Sequence, residues 1–261
     1  MYAMERQDLI ERILLDDGRV SVVALARRFD VTTETVRRDL AQLEIAGALH
    51  RVHGGAVLRE RESTTEPTLA ERAHRRSGAK AAIGRRALEL LGDRFRGSLF
   101  LDAGTTTSAI GTQLGDHLAA TGGQAEVVTH AMTLAHALAD VRDAELTVIG
   151  GRVRGTTAAA VGADTVRSIQ RLRPDIAFLG TNGISATFGL STPDPDEAAV
   201  KSAIVQSARR VVVVADAEKL GRELLVSFAS LGEIDVLVTD AAPDAELTDA
   251  LAAADVEVLL P

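Results

Sequence analysis

The chain contains no cysteine. That excludes disulfides, thiolate metal centres and cysteine nucleophiles in one step. Tryptophan is also absent, tyrosine occurs once, and aromatics make up only 3% of the 261 residues. The core must therefore be aliphatic, built from Ala, Val, Leu and Ile. No apolar run approaches the roughly 20 residues that cross a bilayer. The beginning of the chain carries Glu5, Arg6, Asp8 and Glu11 rather than an apolar leader. A cytoplasmic protein with no membrane contact is expected. Histidines number six, and the nearest pair, His50 and His53, forms no metal-ligand set. Neither a metal nor a cofactor is expected. Lysine is scarce as well: Lys80, Lys201 and Lys219 are the only three among 29 cationic residues. Arginine supplies the generic surface charge, so the context of each lysine is informative.

What is present is ordinary globular composition, 46% hydrophobic and 25% charged, over a length that suits a small domain plus a larger one. The net charge of −8 is unevenly spread. Residues 1–60 hold nine Arg against ten Asp and Glu, residues 61–96 hold nine cations against five acids, and residues 97–261 hold 11 against 22. The acidity belongs to the later part. The first part is close to neutral and is able to present a basic face locally.

Leu9, Ile10, Ile13 and Leu14 recur at helical spacing, and Asp17-Gly18 stops that helix. Ser21 is placed to cap a second, short helix over 22–29, with Val23, Leu25, Ala26 and Phe29 inward. After a turn at Asp30-Val31, Thr32 is an N-cap for a third helix running to about residue 46, with Val36, Leu40 and Leu43 on its apolar stripe and Gly47 at its end. Two short strands around Gly54-Gly55 then read as a hairpin. Three helices and a wing within residues 1–58 make a winged helix-turn-helix pattern. Its third helix points Thr33, Glu34, Arg37 and Arg38 outward, where a recognition helix meets base edges. Thr32 and Thr35 are placed for phosphate contacts. The wing adds His50, Arg51 and His53.

Residues 59–79 are polar and read as a linker with one helical turn after Pro67. From residue 80 onward, strand-like runs alternate with helical stretches. Strands are expected at 98–102, 126–129, 146–150, 176–180, 210–215, 235–239 and 256–259, and helices near 80–91, 105–115, 131–139, 159–171, 195–208 and 244–254. Continuous apolar strands suit a sheet covered on both faces, so residues 80–261 read as an α/β domain with a mostly parallel open sheet. Ligands in such sheets bind at the carboxyl ends of the strands. Asp102 ends one strand and runs into Ala103-Gly104-Thr105-Thr106-Thr107 at the start of a helix. Backbone amides and hydroxyls there form a phosphate cradle, without the Gly-Lys-Ser/Thr of a Walker loop. Gly150-Gly151-Arg152 and Gly180 follow other strands and offer further backbone donors. Glu197 and Lys201 share a helix face, and Lys219 follows the strand over 210–215 as a compact point charge for a phosphate.

The run Thr35-Val36-Arg37-Arg38-Asp39-Leu40, together with Arg51-Val52-His53-Gly54-Gly55-Ala56, resembles the DeoR family of bacterial transcription regulators, and the likeness extends over nearly the whole chain. In order follow stretches similar to that family's sensor pattern: the Asp-x-Gly-Thr-Thr loop, Gly-Gly after a strand, Gly-x-x-Gly-Ile, Glu-Ala-x-x-Lys and Asp-x-x-Lys. The resemblance implies an N-terminal DNA reader and a sensor domain related to sugar-phosphate isomerases. It implies that Asp102, Gly104, Thr105, Thr106 and Lys219 line an effector pocket with Glu197 and Lys201 nearby. One departure is His130, which follows Thr129 where the family usually has Asn. An amide offers a sugar both a donor and an acceptor; an imidazole titrates near neutral pH.

The expected function is a regulator, most simply a repressor of a sugar-catabolic operon relieved by a phosphorylated sugar. Its expected partners are double-stranded operator DNA, that sugar phosphate and further copies of itself as a homodimer or homotetramer. Two alternatives stand beside it. An isomerase-like enzyme would use Asp102, Glu197 and Lys201 for proton chemistry. A constitutive regulator would carry a pocket disabled at His130.

Overall fold

The computed structural model describes residues 3–45, 49–52, 54–58, 63–64 and 66–261. The chain divides into two compact units, Met1–Glu62 and Ser63–Pro261.

The first unit runs α1 (Ala3–Asp17), β1 (Arg19–Ser21), α2 (Val22–Phe29), α3 (Thr33–Ile45), β2 (Leu49–Val52) and β3 (Gly55–Leu58). The three strands form one antiparallel sheet in the order β1-β3-β2. The wing is thus a hairpin, as its glycines predict, with a third strand that the sequence pattern did not reveal. That strand changes the role of Ser21, which pairs with Gly55 and makes no side-chain cap bond. It also rotates α2. Because the helix leaves β1 directly, Val22 turns inward with Leu25 and Ala26, while Val23, expected inside, is 52% exposed. A Cβ on Gly55 would lie 1.9 Å from the Val20 carbonyl oxygen, which is why a glycine stands there. Asp30 makes the turn before α3 in the left-handed region at φ 52, and Thr32 Oγ1 accepts from the Thr35 amide at 3.2 Å. Val36, Leu40 and Leu43 are buried against Ile10, Leu14, Leu49 and Ala56. Gly47 and His53 lie outside the described residues.

The second unit begins with α4 (Leu69–His74), α5 (Ser77–Leu88), β4 (Arg96–Leu101), α6 (Thr105–Thr121), β5 (Gln124–Thr129), α7 (Met132–Leu138) and β6 (Ala144–Val148). It continues with β7 (Arg152–Arg154), β8 (Ala159–Val161), α8 (Ala163–Ile169), β9 (Ile176–Gly180), β10 (Gly183–Ser185), β11 (Gly189–Thr192) and α9 (Pro195–Ser207). It closes with β12 (Val211–Val214), β13 (Val226–Ala229), β14 (Val236–Val238), α10 (Ala245–Ala253) and β15 (Glu257–Leu259). All seven strands expected from the apolar runs meet in one sheet, ordered β15-β14-β12-β9-β4-β5-β6 and parallel at each pairing. Alternate residues feed two cores. Leu99, Leu101, Ile176, Phe178, Val212 and Val214 pack with α5, α6 and α7. Phe100, Ala177, Leu179, Val211 and Val213 pack with α8, α9 and α10. Burial on both faces is the reason these strands read as unbroken apolar runs.

Three expectations need correction. The helix expected over 159–171 is a strand, β8, followed by the shorter α8. Ala-rich residues 158–160 suit either state, but Ala158 sits at φ 51 and Gly162 at φ 102, and β8 pairs with β7. The strand expected over 146–150 lies two residues earlier, so Gly150 and Gly151 belong to the loop beyond it. The segment read as a linker up to residue 79 is, from Ser63 onward, part of the second unit. Thr68 and Glu71 form a reciprocal capping box that starts α4, the Leu69 amide donates to Thr156 O at 3.0 Å, and α5 begins at Ser77. Small antiparallel sheets, β7-β8 and β10-β11-β13, complete this unit and were not foreseen.

Candidate functional site

Starting from β4, the chain order runs through β5 and β6 to one side of the sheet and through β9, β12, β14 and β15 to the other. The reversal falls between β4 and β9. In open α/β sheets the crevice at the carboxyl ends of such a strand pair is where ligands bind. Asp102 stands immediately past β4, and Gly180 ends β9 beside it.

Asp102 is fully buried. Its Oδ2 accepts from the Gly180 amide at 3.0 Å and from the Lys201 ammonium. Its Oδ1 lies 3.0 Å from His130 Nε2. Lys201 Nζ also donates to Gly180 O at 2.8 Å. Burial alone pushes the Asp102 carboxyl up, but the Lys201 charge and the His130 ring outweigh it and hold the pKa at about 2. His130 is itself buried, with Nδ1 2.8 Å from Ala160 O. A carbonyl only accepts, so Nδ1 carries a proton. Nε2 also lies 3.3 Å from the Ala103 amide nitrogen, accepting from it when bare and donating to Asp102 when protonated. The residue that departs from the family pattern therefore stands behind Asp102 as its partner.

Beside this group the chain enters α6 through Gly104, held at φ 151. Thr107 and Ser108 hydroxyls donate to Gly104 O at 3.0 and 2.7 Å, fixing the turn. The amides of Thr105, Thr106 and Thr107 have no acceptor inside the helix, as at any helix start. They point outward from the positive end of a 17-residue helix.

One turn before Lys201 on α9, Glu197 is buried. It accepts from the Thr157 hydroxyl and pairs with Arg154 Nη1 at 3.2 Å. Burial first, and then the neighbouring Glu66 carboxylate, push the Glu197 pKa up. Arg154 bridges Glu197, Asp194 and Glu66. Arg154 and Glu66 were not singled out in the sequence. The signal for Arg154 was available: Arg152 and Arg154 alternate on one face of β7, and α9 opens with Asp194, Asp196 and Glu197.

The remaining expected site residues are placed as follows. Arg152 is 65% exposed on its side chain and pairs with Asp196. Gly150 O accepts from the Thr165 hydroxyl at 3.0 Å, and a Cβ on Gly151 would lie 2.0 Å from that hydroxyl oxygen. Gly151 thus allows close packing against α8, and the Gly180 amide is already engaged by Asp102. Lys219 lies in the 3-10 turn Ala217–Lys219, and it and Arg72 lower the pKa of Lys80, after the larger effect of burial. The cation in contact with Asp102 is Lys201.

In the first unit, Thr32, Thr33, Glu34, Arg37 and Arg38 are exposed on and before α3, and Thr35 is half-buried. Arg37 Nη1 lies 3.5 Å from Glu34 Oε2. In the wing Arg51 Nε donates to Glu44 at 2.6 Å, and the backbone of His50 belongs to β2. Asp39, the last residue of the Arg-Arg-Asp triplet, faces inward. Arg6 grips it through Nε at 2.6 Å and Nη2 at 3.0 Å, fastening α1 to the reading helix.

A helix-turn-helix with two exposed arginines in the second turn of its third helix, carried in one chain with an α/β sheet that reverses its strand order, defines a ligand-responsive transcription regulator. A family model described as DeoR-like helix-turn-helix domain matches residues 6–62, and one described as DeoR C terminal sensor domain matches residues 75–241. The chain belongs to the DeoR family of transcriptional regulators. It is 37% identical to the HTH-type transcriptional regulator GlpR of Haloferax volcanii, over 98% of this chain and 97% of that protein. It is 30% identical to the Glycerol-3-phosphate regulon repressor of Escherichia coli, over 96% of each. With the HTH-type transcriptional repressor GlcR of Bacillus subtilis it shares 31%, over 100% of this chain and 97% of that one. Among solved structures, ribose 5-phosphate isomerase A from Methanocaldococcus jannaschii is similar at a TM-score of 0.41 and 16% identity, over 55% of this chain and 54% of that one. The relatives are named as regulators, which removes the isomerase alternative. No helix among the described residues is long and apolar enough to cross a membrane.

Proposed function

We propose that the protein represses a sugar-catabolic operon and releases its operator when a phosphorylated sugar occupies the crevice between β4 and β9. The observation that carries this reading is the juxtaposition at one strand end: a buried Asp102–Lys201–His130 group beside the free amides of α6. A carboxylate braced by a lysine suits sugar hydroxyls, and a helix start suits a phosphoryl group. Asp102, Gly104, Thr105, Thr106 and Thr107 are the contacts we assign to the effector, with Lys201, His130 and Glu197 bracing them and Lys219 adding positive charge at the rim. That a relative is named Glycerol-3-phosphate regulon repressor supports a phosphorylated ligand. On the other unit, Thr33, Glu34, Arg37 and Arg38 read base edges, while Thr32, Thr35, Arg51 and the wing histidines His50 and His53 hold the backbone. One small reader makes few contacts, so a homodimer or homotetramer binding paired half-sites is the working state.

The test is thermal melting of the full chain with glycerol 3-phosphate, fructose 1-phosphate and glucose 6-phosphate, each beside its unphosphorylated parent. A ligand at about 100 times its dissociation constant stabilises by about 2.7 kcal/mol. In a unit of this size that raises Tm by about 5–11 °C. The stabilising compound should then release operator DNA in a gel shift. Operator binding that ignores every compound would favour the constitutive regulator instead.

A further inference from the structure

The segment from residue 66 to 76 is strapped across the carboxyl end of the sheet. Glu66 Oε1 accepts from Asn182, in the loop after β9, at 3.3 Å. Arg76 pairs with Asp240, beyond β14. Lys80 Nζ donates to the carbonyl oxygens of Arg72 and Arg75 at 2.6 and 2.7 Å, closing the end of α4. Between these anchors α4 packs against α6, the helix whose first amides have no acceptor within it.

Arg72 lies in the middle of this strap. Its Nη1 pairs with Glu66 Oε1 at 3.2 Å. Its other edge, Nε and Nη2, is buried and has no hydrogen-bond partner among the described residues. Those two atoms are the parallel fork with which a guanidinium grips a carboxylate or a phosphate. Arg6 uses the same two atoms on Asp39 in the first unit. A buried guanidinium edge with no acceptor is costly unless something fills it. Lys80 lies within reach of the Arg72 and Lys219 charges and of the Asp216 and Glu218 carboxylates, so cations and acids are interleaved around the strap.

We propose that Arg72 is a direct ligand of the effector's phosphoryl group, its Nε–H and Nη2–H taking two oxygens while the first amides of α6 take the others. This rests on the reading of the crevice as the effector site. It goes beyond that reading, because the ligand then touches the strap that follows the DNA-reading unit in the chain. Glu66 ties the same strap to Arg154 and through it to Glu197, one turn from Lys201. Filling the fork would therefore change the hold on the first segment of the sensor unit.

The test is calorimetric titration of the full-length parent, Arg72→Gln and Arg72→Lys with inorganic phosphate and with glycerol 3-phosphate, read beside the gel shift. Arg72→Gln should weaken both ligands by about 10- to 150-fold, the loss of charge-assisted bonds. Arg72→Lys keeps a charge opposite Glu66 but cannot present the fork, so it should recover only part and serves if the glutamine variant fails to fold. Parent-like affinity in either variant, or a parent that binds neither phosphate compound, overturns the assignment. Operator release by an unphosphorylated sugar alone would also overturn it while leaving the sensor reading intact. Phosphate binding that depends on Arg72 but never alters operator affinity would uphold the site and remove the sensor reading.

Discussion

Replacing Lys201 by Met keeps the length of the side chain and removes its charge. The lysine is 7% exposed on its side chain and its partner Asp102 is 0% exposed, so the pair is shielded from water. Removing one member of a buried pair costs about 3–5 kcal/mol, mostly because the other charge is left in a poor environment. Here the carboxylate keeps the Gly180 amide and the His130 ring, both at 3.0 Å. The lower end, about 3 kcal/mol, is therefore expected. In a unit of this size that lowers Tm by about 6–12 °C at pH 7. The pH dependence makes the reasoning specific. In the parent, Asp102 is held at about 2, below its unfolded value. A depressed carboxyl contributes stability that is present above about pH 4 and lost as pH falls through the folded value. Without Lys201 burial meets less opposition, the folded pKa rises, and that contribution shrinks or reverses at neutral pH. The gap between parent and variant should be flat near neutrality and narrow once pH falls below the variant's raised folded value, closing as pH approaches the parent's folded value of about 2. Differential scanning calorimetry at several pH values reads this directly. Equal melting temperatures at neutral pH, or a gap that stays constant with pH, would refute the account of the buried group.

Four further outcomes are expected. Arg37→Ala and Arg38→Ala should each weaken operator binding, by about 1–3 kcal/mol with relaxed specificity where the arginine reads a base; unchanged gel shifts at fixed salt in both would remove α3 from the interface. Gly104→Val places a branched side chain at φ 151, with its Cβ 3.3 Å from Thr107 Oγ1. It should abolish induction in a reporter strain while operator binding persists, and normal induction would contradict the cradle. Arg6→Met leaves the buried Asp39 carboxylate with the Gln7 amide at 3.3 Å and should destabilise the first unit by about 3 kcal/mol, the lower end for a broken buried pair, measured by urea denaturation; parent-like stability would mean the pair is dispensable. Lys219→Met should lower sugar-phosphate affinity by calorimetry, by up to about 100-fold if the ammonium touches the phosphoryl group, and an unchanged dissociation constant makes it a surface residue.

Much of the architecture was legible because the local signals agreed. The seven strands of the parallel sheet announce themselves as apolar runs, since each is covered on both faces. The stripe Val36, Leu40, Leu43 fixes which side of α3 meets the core and so which side is left exposed. Asp102 and the Gly-Thr-Thr run could be placed at a strand end because strand, loop and helix start are consecutive. What sequence could not supply were partnerships between distant residues. Arg154, Glu66 and Glu197 are far apart in the chain and meet only when β7, α9 and the strap close together. The polar stretch around Arg72 reads as linker because its stabilising contacts are ion pairs and carbonyl bonds rather than an apolar stripe. Local pattern encodes which face of an element is buried. The tertiary structure decides which charge each buried charge meets, because that depends on the sheet order, and the reversal between β4 and β9 is what brings Lys201 and His130 onto Asp102.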